Sequence, residues 1–164
     1  MHESRNGTPF AQKRRVGLAC RSEEDGVRAA PASRDYQILI TDDDPDCREA
    51  LREIMEPEGF HTLLASSGEE AIDIAQSQAV HLALLDMHMP TLTGLETLRM
   101  LRQICALLPC ILITADVTES LIREACQEKA YSVIPKPVSK NVVLYTVVRT
   151  LVRVYGPDEN ESAS

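Results

Sequence analysis

The chain has 164 residues, enough for one domain with a sizeable core, with 44% hydrophobic residues, 26% charged residues and no Trp. Its formal net charge of −8 argues against a nucleic-acid surface, and no apolar run approaches the roughly 18 residues that cross a membrane. Five cysteines (Cys20, Cys47, Cys105, Cys110, Cys126) form no C-x-x-C pair and no zinc spacing, so reduced thiols and a cytoplasmic location are expected.

Residues 1–34 hold seven Lys/Arg and four Asp/Glu with no sustained apolar period, which predicts a basic, disordered N-terminal extension. One domain is expected over 35–155, followed by a polar tail over 156–164. "QILIT" (37–41) reads as a buried strand. A helix follows from Pro45, with Asp44 as N-cap and Cys47, Ala50, Leu51, Ile54 and Met55 at helical spacing, until Pro57 and Gly59 stop it. "FHTLLA" (60–65) predicts a second strand, and 67–78 a helix capped by Ser67 with Glu70 three residues on. "HLALLD" (81–86) is the third strand, and 93–107 a helix with Leu95, Leu98, Leu101, Ile104 and Cys105 inward. "CILIT" (110–114), a helix over 118–129, "YSVI" (131–134) and a closing helix over 139–155 complete the series.

Five wholly apolar strands alternating with five helices predict a parallel sheet covered on both faces, an α/β sandwich. Sites in such sheets form beyond the carboxyl ends of the strands. There the first strand delivers Asp42, Asp43 and Asp44, the third Asp86, the fourth Thr114, and the fifth is followed by Lys136. Carboxylates from two strands suit Mg²⁺, which wants oxygen ligands and keeps several waters. A further carboxylate oxygen can attack phosphorus, while a cation, an ammonium and a hydroxyl offset the phosphoryl charge. The chemistry that fits is an aspartyl phosphate. Asp44 and Asp46 are read as acids favoured at a helix N-terminus, and His61 and His81 as structural or exposed.

"ILITDDDPDCREAL", "LALLDMHMPTLTGLETL", "CILITA" and "VIPKPV" together resemble the four signature segments of response-regulator receiver domains, the CheY-like modules of two-component signalling, over roughly residues 36–155. The resemblance implies a flavodoxin-like (βα)5 fold with strand order 2-1-3-4-5. It implies that Asp86 is the phosphoacceptor, charged by a histidine kinase or phosphotransfer protein. It further implies that Asp43, Asp86 and the backbone carbonyl of His88 ligate Mg²⁺ with Asp42 acting through water, and that Thr114 and Lys136 stabilise the phosphoryl group. The Lys136–Pro137 bond is cis in the family. His88, two residues past Asp86, is a candidate for tuning phosphate lifetime. Val133 stands where the family usually has an aromatic, and Tyr131 lies two residues away.

Only nine residues follow Tyr155, so a stand-alone receiver without a DNA-binding output domain is expected. It would not be an enzyme beyond catalysing its own phosphorylation and dephosphorylation. Its partners would be the phosphodonor, an unidentified downstream protein and a second copy of the chain through the last helix, with no nucleic acid and no membrane. That helix carries a broad apolar surface beside a stripe of Thr146, Arg149, Thr150 and Arg153. Two alternatives stay open: a haloacid-dehalogenase-type phosphatase, from the Asp42-x-Asp44 pair, and a pseudo-receiver that only binds partners.

Overall fold

The computed structural model describes residues 36–156. The expected extension over 1–34 and the tail beyond Gly156 lie outside the described residues. Five strands and five α-helices alternate: β1 (Gln37–Thr41), α1 (Pro45–Met55), β2 (His61–Ala65), α2 (Gly68–Ser77), β3 (Leu82–Asp86), α3 (Gly94–Ile104), β4 (Cys110–Thr114), α4 (Glu119–Gln127), β5 (Ser132–Pro135) and α5 (Lys140–Tyr155). All pairings are parallel and the sheet order is β2-β1-β3-β4-β5, as expected.

The alternation of side chains along each strand divides the core in two. Leu39, Ala83, Leu85 and Leu112 face α2, α3 and α4, where Ala71, Leu95, Leu98, Leu101 and Leu121 meet them. Ile38, Ile40, Leu84, Ile111 and Ile113 face α1 and α5, packing on Leu51, Met55, Val143, Val147 and Leu151. The central strands β3 and β4 are buried throughout, which fixes the positions of the residues at their ends.

Each helix begins at a side-chain cap. Asp44, Ser67, Thr93, Thr118 and Ser139 accept from backbone N–H groups of the first turns of α1 to α5. Each such cap stabilises its helix by about 1 kcal/mol where it is not competed by water. Thr93 and Glu96 form a reciprocal capping box.

Three expectations need correction. Ile104 points outward at 37% exposure, because each i+3 step from Leu95 falls about 60° short of a turn and carries the stripe off the buried face. Thr150 is 1% exposed, being in helical phase with Val143 and Val147, and its hydroxyl donates to Thr146 O at 2.7 Å. Cys47, Cys110 and Cys126 are free thiols, but Cys105 is disulfide-bonded, against the expectation that all thiols are reduced. No helix among the described residues is long and apolar enough to cross a membrane.

The opposite end of the sheet is closed by rings. Tyr36, His81 and Tyr155 contact one another at centroid separations of 5.4, 5.7 and 5.5 Å. The Tyr155 hydroxyl donates to His81 O at 2.9 Å, and His81 Nδ1 accepts from the backbone N–H of Gln37 at 3.0 Å. This clasp joins β1, the start of β3 and the end of α5.

Candidate functional site: an acidic cluster at the strand ends

Thr41 is the last residue of β1, yet the ladder continues one step as Asp42 N donates to Ala65 O at 3.1 Å. That step buries Asp42 to 1% exposure while Asp43 stays exposed. The Asp42 carboxylate turns back on its own chain and accepts from Asp44 N at 2.9 Å, an Asx-type turn. Arg48, one turn into α1, donates to Asp42 O at 2.7 Å and holds the loop from the other side. Asp44 behaves as a cap: its carboxylate accepts from Asp46 N at 3.0 Å, which holds its pKa below the usual carboxylate value.

Asp86 ends the fully buried β3. The next residue is bound on both sides: Met87 N donates to Ile113 O at 2.8 Å, and Met87 O accepts from Gly94 N at 2.9 Å. The second bond brings the start of α3 against the backbone of Asp86. A Cβ on residue 94 would lie 2.6 Å from Asp86 O and 2.9 Å from Met87 Cα, so only glycine fits.

Lys136 follows β5, with its N–H donating to Thr114 O at 2.8 Å and a cis bond to Pro137, as the resemblance implied. Its ammonium enters the cluster from the β5 side and lies 3.1 Å from Asp42 Oδ2 and 3.2 Å from Asp86 Oδ1. Asp42, Asp43 and Asp86 each offer a carboxylate oxygen, all within 4.8 Å of one another. Thr114 is fully buried at the end of β4, and its hydroxyl accepts from Asp116 N at 3.0 Å. His88 is exposed, in the loop that leaves Asp86.

Burial raises the Asp86 pKa above the ordinary value, the Asp42 charge adds to the rise, and Lys136 offsets part of it. Burial works against the charged form of Lys136, but its hydrogen bond and charge contact with Asp42, and then the charge of Asp86, outweigh it and raise its pKa. Two carboxylates therefore share one ammonium, and a third is close by. This donor set suits a hard divalent cation: oxygen only, mixed buried and exposed, with negative charge in excess of the single lysine.

The structure therefore brings together Asp42, Asp43, Asp86 and Lys136, and puts Thr114 on the adjacent strand end. Sequence reasoning missed Gly94 and Arg48. A glycine at the first position of a helix, where almost any residue serves, was a signal of close backbone approach. Arg48 had no such signal, because a helix arginine ordinarily faces water. Cys47 was read as one apolar position among several, yet its thiol lies 3.9 Å from Lys136 Nζ and 3.5 Å from Asp44 Oδ2.

The response regulator receiver domain family matches residues 38–148, a span that contains every residue of this cluster. The chain belongs to the response-regulator receiver family. It is 34% identical over 128 residues to response regulator MprA of Mycolicibacterium vanbaalenii, covering 78% of this chain and 55% of that protein. It is 31% identical over 126 residues to the transcriptional regulatory protein CpxR of Escherichia coli, covering 77% of this chain and 53% of that protein. The chain thus spans about half the length of the curated relatives it matches. Among solved structures, the CheX–CheY–BeF3–Mg complex from Borrelia burgdorferi superposes with a TM-score of 0.66 at 27% identity, covering 71% of this chain and 90% of that one. A CheY-like receiver domain from Methanospirillum hungatei gives a TM-score of 0.69 at 24% identity, with 72% and 94% coverage, and shares the fold. The receiver is a signalling module of two-component systems, and its family counts against the phosphatase alternative.

Proposed function

We propose that Asp86 accepts a phosphoryl group from a phosphohistidine of a histidine kinase or phosphotransfer protein. An Asp86 carboxylate oxygen attacks phosphorus, the P–O bond forms as the P–N bond breaks, and the imidazole leaves with the electron pair and takes a proton. The observation that carries this reading is the ammonium of Lys136, held between Asp42 and Asp86 by two contacts near 3 Å. It is poised over the phosphoacceptor, where it can bind an incoming phosphoryl oxygen. Once Asp86 carries the phosphoryl group as an acyl phosphate, the Thr114 hydroxyl at the neighbouring strand end is free to leave Asp116 N and donate to a second phosphoryl oxygen.

Asp43, Asp86 and the His88 carbonyl would hold Mg²⁺, with Asp42 acting through water; the ion, when bound, neutralises phosphoryl oxygens. Asp42 keeps Lys136 charged and aimed. Arg48 and Gly94 are positioning residues, acting on the backbones of Asp42 and Asp86. The exposed His88 side chain orients or excludes the water that hydrolyses the acyl phosphate, and so sets its lifetime. Signalling is by protein–protein contact, and the chain does no catalysis on other molecules. With Val133 in place of an aromatic, the phosphorylated state is passed on through Thr114 and the exposed segment 115–118.

Intact mass after incubation with Mg²⁺ and a small acyl phosphate tests the assignment. The expected result is a gain of one phosphoryl group in the native chain and none in Asp86→Asn. Label retained in that variant would overturn it.

A further inference from the structure

Four of the five cysteines fall within the described residues, and they differ in state. Cys47, Cys110 and Cys126 are free, while Cys105 is disulfide-bonded. Within one chain that leaves a single partner, Cys20, which lies outside the described residues. Exposure does not explain the choice of Cys105. Cys126 is exposed on α4 and free, whereas Cys105 is 8% exposed. Burial alone does not explain it either, because Cys110 is sealed inside β4, where burial pushes its thiol up to about 12, and is free.

What sets Cys105 apart is its setting. It caps the C-terminal end of α3, its N–H donating to Leu101 O at 2.9 Å. Ile104 precedes it, Met100 lies one turn earlier on the same face as Ile104, and Leu107 follows in the turn that leads to β4. These three apolar side chains are 37%, 41% and 55% exposed. Cys20 in turn closes the apolar run Val16-Gly17-Leu18-Ala19, flanked by Lys13, Arg14, Arg15 and Arg21. A short apolar segment with basic flanks suits an apolar patch on a protein of net charge −8. The reach is sufficient. In the order β2-β1-β3-β4-β5 the starts of β1 and β4 are two strand spacings apart, roughly 10 Å. The described chain begins at Tyr36, one residue before β1. The 15 residues between Cys20 and Tyr36 can span about 50 Å.

We propose that Cys20 and Cys105 form a thiol–disulfide modification site, and that residues 16–19 seat on Met100, Ile104 and Leu107 when it is oxidised. The oxidant is a low-molecular-weight disulfide. One cysteine thiolate attacks a sulfur of that disulfide and expels one small thiolate. The other cysteine thiolate then attacks the mixed disulfide and expels the second. Two protein thiols thereby lose two protons and two electrons, and one small disulfide becomes two thiols. A small thiol reverses both exchanges and releases residues 1–34 from α3. The site lies at the end of the sheet where the strands begin, away from Asp86, and it does not rest on phosphoryl transfer.

The test equilibrates the full chain with mixtures of oxidised and reduced glutathione, then denatures and alkylates it. The oxidised chain is expected to stay monomeric, to keep only the thiols of Cys47, Cys110 and Cys126, and to yield on digestion a peptide pair that joins Cys20 to Cys105. Cys20→Ser and Cys105→Ser should each prevent that bond. Leu18→Ser and Leu107→Ser should each lower the equilibrium constant for oxidation by about fivefold or more, because apolar contact raises the effective concentration of the two thiols. Leu18→Ser alters no described residue, so its effect is read free of any change in the receiver fold. A full complement of alkylated thiols under oxidation, a bond from Cys105 to any cysteine other than Cys20, or disulfide-linked dimers would overturn the pairing. An equilibrium constant unchanged in both Leu-to-Ser variants would overturn the seat.

Discussion

The two ends of the sheet are built from the same strands and treat polar groups in opposite ways. At the end where the strands begin, Tyr36, His81 and Tyr155 pack ring on ring, and their hydrogen bonds close on backbone groups of β1 and β3. At the end where the strands finish, two of three clustered carboxylates share one ammonium. The first arrangement is locally complete, and the second is short of positive charge. Chemistry collects where charge is left incomplete, because only there does a cation or a phosphoryl group gain more from binding than it loses in desolvation.

The sharpest way to break this contrast is a substitution at each end. Asp86→Asn should abolish the phosphoryl mass gain, whereas Tyr155→Phe should leave it unchanged; loss in both would mean that the ends are not independent. Next in size is Lys136→Met. Losing a preorganised donor should slow phosphorylation by about 10²-fold in stopped-flow measurements with a small phosphodonor. The same variant should bind Mg²⁺ several-fold more tightly in a titration, since the cluster loses the ammonium that competes for its carboxylates, about 1 kcal/mol by the usual conversion. Weaker Mg²⁺ binding would show that Lys136 organises the carboxylates rather than competing for them.

The third prediction concerns pH. The Asp86 pKa is raised in the folded chain. The native state therefore holds its proton to higher pH than the unfolded state, and stability falls as pH rises through that interval. In Mg²⁺-free buffer Asp86→Asn should stabilise the chain at pH 7, and the gain should vanish below the ordinary carboxylate pKa. Melts across pH 3–8 would check it, and a constant difference would contradict the assigned burial. The smallest effect is at the clasp: Tyr155→Phe loses one hydrogen bond and should cost about 1 kcal/mol in denaturant melts, independent of Mg²⁺.

Much of this was readable in advance. Apolar runs of strand length alternating with helical spacing gave every strand and α-helix but not the short 3-10 turn at Glu56–Glu58, and the acids that end β1 and β3 stood out because they abut buried segments. The cluster was legible because each of its members lies at a strand end, so a parallel sheet brings them together whatever the loop details. The clasp was not: Tyr155 and His81 are 74 residues apart, and no local period links a helix C-terminus to the start of a distant strand. Ile104 was misplaced because three residues at i+3 spacing look like a face that a fourth has already left. Gly94 and Arg48 act on backbone atoms, and a sequence pattern weighs side chains.

The double fastening of Met87 has a mechanical consequence. One bond ties the residue after the phosphoacceptor to β4 and the other ties it to the start of α3, so the seat of Asp86 is stiff in both directions. Residues 115–118 are exposed and lie outside the sheet ladder. When a stiff member and a soft one are joined in series, nearly all the displacement appears in the soft one. A load applied at Asp86 should therefore leave β3 where it is and surface as movement of the segment after Thr114, at the end of the molecule nearest α4 and away from the ring clasp.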